Sequence, residues 1–214
     1  MQKRQFSMTD KLLAQADQSI RTIFADAPKS SRPNPADVYD ECELKDSARQ
    51  HVGGLMRVNH SGEVSAQGLY QGQALTARLP DVRDKMEQAA IEENDHLAWC
   101  EQRLSDVQAR KSLLNPLWYA GSFVIGAVAG AIGDKWSLGF VAETEHQVVK
   151  HLDEHLDSLP QDDRKTRAIL EQMKTDELHH ATTALHHGGA ELPVPARKLM
   201  TLMSKVMTRT AYWV

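Results

Sequence analysis

The chain has 214 residues, of which 41% are hydrophobic and 25% charged, with a net charge of -4; that suits one sizeable core in a folded soluble domain. The charge is too mild for nucleic-acid binding, and no basic stripe interleaves with aromatics. Two cysteines, Cys42 and Cys100, make no disulfide framework and point to a reducing compartment, while Lys3 and Arg4 precede no apolar run and Asp10 and Asp17 argue against a transit peptide.

Apolar residues recur at steps of three and four, strand-like alternation is rare, and the fold class is all-α. Thr9 or Ser7 caps a first short helix, with Leu13, Ala16, Ile20 and Phe24 on its inner face. Residues 27–40, with Pro28, Pro33 and Pro35, read as a loop, so residues 1–44 form an N-terminal helix and loop ahead of a main domain over 45–214. A long helix runs from about Asp46 to Leu79. Pro80 ends it and opens a second, which extends to about Arg110.

From Ser112 to Gly133 there is no charged residue. A membrane helix needs ~20 apolar residues, but Pro116 and the repeated glycines weaken a full span. The favoured reading is a segment that enters one leaflet or lies at the interface, with Trp118, Tyr119 and Trp136 near the headgroups. Burial inside the bundle is the alternative. A third long helix ends near Leu159. Pro160 then opens a fourth, placing Asp162 and Asp163 in its first turn, and Gly188 and Gly189 close it. The last amphipathic piece, about Ala196 to Val214, sets Leu199, Leu202 and Val206 among Lys198, Lys205 and Arg209, which suits a membrane surface or a partner helix.

The chemistry lies in the glutamates and histidines. Glu-x-x-His occurs at Glu93/His96, Glu143/His146 and Glu177/His180, and residues three apart share a helical face. Helical phase separates these pairs. Glu93 falls in the stripe Met86, Ala90, Glu93, Leu97, Cys100, and Glu177 in Leu170, Met173, Glu177, His180, Ala184. Glu63 falls in Met56, Asn59, Glu63, Ala66, Tyr70, and Glu145 in Leu138, Val141, Glu145, Val148, Leu152. Glu143 lies about 200° around from Glu145, on a solvated side with Gln147 and Lys150. One carboxylate per helix therefore occupies a core position, where it must be protonated, paired or metal-bound.

Depth agrees with phase. Glu63 and Glu93 lie 17 and 13 residues from Pro80, and Glu145 and Glu177 lie 15 and 17 from Pro160. At 1.5 Å per residue all four sit about 20–25 Å from their turns, within roughly one helical turn of a common level. Glu63, Glu93/His96, Glu145 and Glu177/His180 thus give one Glu from each of two helices and Glu-x-x-His from each of two others. That is the donor pattern of ferritin-like di-iron and di-manganese bundles. Oxygen donors with two imidazoles suit iron or manganese. A buried polar network without metal is the bland alternative. Asp176 is a candidate partner for a ligand histidine.

The segments Leu55-Met56-Arg57-Val58-Asn59-His60-Ser61-Gly62-Glu63-Val64, Glu92-Glu93-Asn94-Asp95-His96, Val141 to Glu145 and Asp176-Glu177-Leu178-His179-His180 resemble the demethoxyubiquinone hydroxylases. These are ferritin-like di-iron monooxygenases of ubiquinone biosynthesis, and the likeness covers about residues 45–214. It implies a four-helix bundle with an added apolar membrane-interface segment and a C-terminal amphipathic helix. It also implies that Glu63, Glu93, His96, Glu145, Glu177 and His180 hold two iron ions per chain, with Glu93 and Glu177 as bridges. O2 is the implied co-substrate and a polyprenyl demethoxyubiquinol the substrate. The expected setting is peripheral, on the cytoplasmic face of a bacterial cell membrane, beside other ubiquinone-biosynthesis proteins. An iron-oxidising or iron-storage protein on the same bundle is the rival. No dinucleotide fingerprint is present to supply a reductant.

Overall fold

The computed structural model describes residues 8–214. Seven helices follow in order: α1 (Met8–Phe24), α2 (Asp46–Thr76), α3 (Pro80–Asp106), α4 (Asn115–Ile132), α5 (Asp134–Ser158), α6 (Arg164–His186) and α7 (Val194–Trp213), with a 3-10 turn at Pro35–Val38 before α2. No strand occurs among the described residues. The fold is a ferritin-like bundle. The hairpin α2/α3 packs on the hairpin α5/α6, and α4 lies along the long crossover that joins them.

The hairpin turns follow from the sequence. Pro80 opens α3, where a missing N–H costs nothing because the first turn has no intrahelical acceptor for it. At the other hairpin the expectation needs correction. Pro160 stands before the helix, and Asp163 caps α6 by accepting the Thr166 N–H at 3.0 Å, so α6 starts at Arg164 and carries no acid in its first turn. Asp163 is held there because its carboxylate also pairs with the fully buried Arg103 guanidinium, 3.0 Å away.

α2 is packed on more than one side, which explains why most residues from Val52 to Ala74 are buried whatever their polarity. Gly68 and Gly72 bring its backbone against α4. A Cβ on Gly72 would stand 2.1 Å from the Phe123 carbonyl oxygen, and one on Gly126 would stand 2.1 Å from that of Leu69. Of the glycines in the 112–133 run, Gly126 and Gly130 therefore serve a close helix–helix approach. α4 is long and apolar enough to cross a membrane by length and composition alone, and only 28% of it is buried. Leu117, Val124, Val128 and Ile132 on its other face are exposed. Tyr119, expected near headgroups, is instead 3% exposed and bonds to Gln71 and Ser19 inside the protein.

The N-terminal helix is also corrected. Leu13, Ala16, Ile20 and Phe24 form its outer face, with Phe24 72% exposed. Ile23 packs inward instead, beside Val64, Leu97 and Tyr119. On that inner side the Ser19 hydroxyl also meets Tyr119 at 2.8 Å. Thr9 falls inside the helix, and Ser7 lies outside the described residues. α7 packs on α2, and just past its end the Val214 carbonyl accepts the Leu113 N–H, from the segment before α4, at 3.0 Å. Its Leu199, Leu202, Met203, Val206 and Trp213 are exposed.

Candidate metal centre

Glu63 comes from α2, Glu93 and His96 from α3, Glu145 from α5, and Glu177 and His180 from α6. The first three, Glu145 and Glu177 are buried; the His180 side chain is 10% exposed. Ligand atoms of Glu63, Glu93, His96 and Glu177 all lie within 4.8 Å of one another. His180 adjoins this group, with Nδ1 3.1 Å from Glu177 Oε2 and 3.3 Å from Glu93 Oε1. Glu145 is reached through the Tyr70 hydroxyl, which donates to its Oε1, and it shares the electrostatic field of Glu177, Glu93 and His180. Glu143 bonds Gln147 on its own helix and His146 is exposed, so neither enters the cluster.

Each histidine is held at both nitrogens. His96 Nδ1 faces Glu93 Oε2 at 2.9 Å, and Nε2 lies 2.9 Å from Asp176 Oδ2. His180 Nδ1 faces Glu177 Oε2 at 3.1 Å, and Nε2 lies 2.9 Å from Glu92 Oε2. The arrangement is symmetric: the acid that precedes each helix's glutamate orients the histidine of the opposite helix. Asp176 was legible as a candidate from its neighbour Glu177. Glu92 stands in the same relation to Glu93 but was not singled out; its partner His180 lies 88 residues away.

The charges compete for too few counterions. Burial works against charge on His96 and His180, but the carboxylates outweigh it. Glu93, Asp176, Glu177 and Glu63 hold His96 well above the ordinary imidazole range, and Glu177 with Glu93 pushes His180 up to about 12. Glu93 resists burial because both imidazoles face it, and its pKa falls well below normal. Burial, with the neighbouring carboxylates, lifts Glu63 and Glu145 well above their usual range. Glu93 Oε1 is buried and makes no well-formed hydrogen bond, although His180 Nδ1 is near. An acceptor left over in an oxygen-rich, two-imidazole pocket fits a hard or borderline metal ion. Cys100 is no competing ligand: burial pushes its thiol well up, and its sulfur contacts Met173 Sδ at 3.9 Å.

The family model described as ubiquinone biosynthesis protein COQ7 matches residues 50–211. This chain belongs to the COQ7 family. It is 60% identical over 210 residues to the 3-demethoxyubiquinol 3-hydroxylase of Azotobacter vinelandii, covering 98% of each chain. The protein of the same name from Nitrosococcus oceani is 56% identical over 214 residues and covers all of both chains. That from Ectopseudomonas mendocina is 57% identical over 210 residues. The likeness to these COQ7 relatives therefore extends beyond residues 45–214 into the N-terminal helix and loop.

That N-terminal loop touches the centre. Arg32 Nε donates to Asp95 Oδ2 at 2.7 Å and Nη1 lies 2.8 Å from Asp176 Oδ2. A second buried polar group joins His60, Glu101, Lys111 and Asn115 between α2, α3 and the start of α4. Beside His180 a cleft of about 140 Å³ opens between α3 and α6, lined by Tyr70, Met86, Val141 and Ala184 and rimmed by Lys85 and Glu92.

Proposed function

We propose that the chain is an oxygen-dependent di-iron monooxygenase that hydroxylates the ring of a polyprenyl demethoxyubiquinol in ubiquinone biosynthesis. Two supports meet: relatives named 3-demethoxyubiquinol 3-hydroxylase at 56–60% identity over nearly the whole chain, and a buried cluster of four carboxylates and two histidines. The cluster carries the reading, because an acid-rich core has little other use at this depth. Glu63, Glu93, His96, Glu145, Glu177 and His180 would hold two iron ions.

When bound, iron supplies oxygen activation, which no side chain of this chain can provide. The protein's own part is positional. Asp176 and Glu92 keep the Nε2 protons of His96 and His180, which leaves each Nδ1 turned toward the cluster. Tyr70 stays protonated, since burial and then the Glu145 carboxylate raise its pKa well above normal, and it holds Glu145 by donation. The packed walls around Met56, Cys100, Leu170 and Met173 keep bulk water from the reacting centre. The exposed apolar faces of α4 and α7, with Lys198, Lys205 and Arg209, suit a membrane surface that retains a lipid tail while the ring reaches the bundle.

The test is turnover of a short-tailed demethoxyubiquinol by iron-loaded, reduced protein under labelled oxygen gas. The reading expects one labelled oxygen atom on the quinone ring. Iron oxidation without label in the quinone would favour the iron-oxidising alternative.

A further inference from the structure

The two halves of the centre are alike in sequence and unlike in their surroundings. Both histidines pass Nε2 to a carboxylate, but only the His96 side is fastened from outside the bundle. Arg32, in the loop between α1 and α2, reaches two acids at once. Its Nε bonds Asp95 Oδ2 at 2.7 Å, and its Nη1 lies 2.8 Å from the same Asp176 Oδ2 that faces His96 Nε2. Its guanidinium also lies 4.8 Å over the Trp99 ring, which packs at 5.4 Å against the His96 imidazole. Gln172 takes the other Asp176 oxygen at 2.9 Å, so that carboxylate has no freedom to rotate.

The loop is itself tied down. The Ser31 N–H donates to Asp95 Oδ1 at 2.7 Å, its hydroxyl to Asp95 Oδ2 at 3.0 Å, and the Ser30 hydroxyl to Asp95 Oδ1 at 3.0 Å. On the other side Glu92 is met by Gln88 on its own helix, and its side chain is 44% exposed beside the cleft. His96 is fully buried, whereas His180 borders that cleft.

Resting on the di-metal reading above, we propose that Arg32 is a positioning residue for the His96 metal position. It fixes Asp176, Asp176 fixes the His96 ring, and one of the two metal positions becomes the tighter and more rigid one. The His180 position, oriented only by a half-exposed glutamate, is the more open. An arginine is required because one planar fork must satisfy two carboxylates and still lie flat on an indole.

Anaerobic Co(II) titration of the full-length protein, followed by visible absorption, tests this without turnover. Wild type is expected to take up two Co(II) ions of unequal affinity. Arg32→Gln should weaken the tighter one about 10- to 100-fold and alter its absorption, leaving the other unchanged. Ser31→Ala, which removes one of the loop's bonds to Asp95 and leaves Arg32 its own, should weaken the same ion much less than Arg32→Gln. Asp176→Asn should reproduce the Arg32→Gln loss, and the double variant should lose no more than Asp176→Asn alone. Arg32→Lys, which keeps the charge and most of the packing, enters the same cycle should Arg32→Gln fail to fold, and is expected to weaken the same ion.

Unchanged Co(II) affinities and spectra in the Arg32 variants, additive losses in the double variant, or an equal loss in Ser31→Ala would overturn the proposal while leaving the di-metal reading standing. A wild-type protein that takes up no Co(II) would overturn both.

Discussion

Glu177 illustrates how much one side chain decides. It lies 3.1 Å from both imidazoles, through Oε1 to His96 Nδ1 and Oε2 to His180 Nδ1. Glu177→Gln keeps its shape and removes its charge, and a neutral amide is the easier group to bury. The expected result is a folded protein with reduced iron content and little or no hydroxylation; undiminished iron and turnover would remove Glu177 from the centre. His155 makes a different prediction. Burial first, then the charges of His151 and His51, lower its pKa to about 4, and its Nδ1 meets Asn59 Oδ1 at 2.9 Å. A folded-state pKa below the ordinary 6.5 means a stabilisation that is complete above about pH 6.5 and lost as pH falls through 4. Against His155→Gln, the wild-type advantage in denaturant unfolding should shrink across that window, at a rate approaching about 1.4 kcal/mol per pH unit. Parallel curves would show that the ring already titrates normally. The glutamates of the cluster were legible because a charge at a core phase contradicts its helix's pattern. Arg32 and Glu92 fit their own local patterns, and only contacts 63 and 88 residues away give them a role.

At the level of elements, the α2/α4 pair makes glycine testable. Gly126 would place a Cβ 2.1 Å from the Leu69 carbonyl oxygen, while Gly121, on the same helix, would meet nothing within 4 Å. Alanine improves intrinsic helix stability by up to ~1 kcal/mol at either place. Gly121→Ala should therefore leave stability unchanged or raise it. Gly126→Ala should lower it by about 1–3 kcal/mol, because a helix must move to admit the methyl. Equal urea midpoints for the two variants would mean that the helices are not in close contact. The sequence showed the glycines and could set them only against a membrane span; their partner backbone, Gly68 and Gly72 on α2, lies some fifty residues earlier. The same limit governs α1. Periodicity identified the helix and its apolar stripe, but which face turns inward depends on long-range contacts, Ile23 beside Val64 and Leu97 and Ser19 with Tyr119. The start of α3 at Pro80 was legible because proline acts locally on the backbone, whereas α2 ends at Thr76, short of the expected Leu79. The cap at Asp163 was displaced from Pro160 because Arg103, on another helix, holds that carboxylate.

Across the whole molecule, three helices outside the four-helix core leave apolar faces uncovered: Ile20 and Phe24 on α1, Val124 and Val128 on α4, and Leu202 and Val206 on α7. α1 adjoins α4 through Ser19 and Tyr119, and the chain end after α7 reaches the segment before α4 through Val214 and Leu113. Lys198, Lys205 and Arg209 are exposed on α7 beside its apolar residues. A lipid surface satisfies both features, since apolar side chains enter the acyl boundary while basic ones meet anionic headgroups. The two contributions separate experimentally. Each basic residue near an anionic leaflet is worth about 1 kcal/mol, so Lys205→Gln with Arg209→Gln should weaken binding to phosphatidylglycerol vesicles by roughly 30-fold at low salt. The same pair should matter little on phosphatidylcholine, and raising the salt should erase the difference by screening. Val124→Asp with Val128→Asp should reduce sedimentation with either vesicle while leaving the unfolding midpoint near wild type, because both side chains are more than half exposed in the folded chain. Vesicle binding that ignores the aspartates but follows the salt would place the contact on α7 alone. A protein that binds neither vesicle would leave these faces to be covered by another chain.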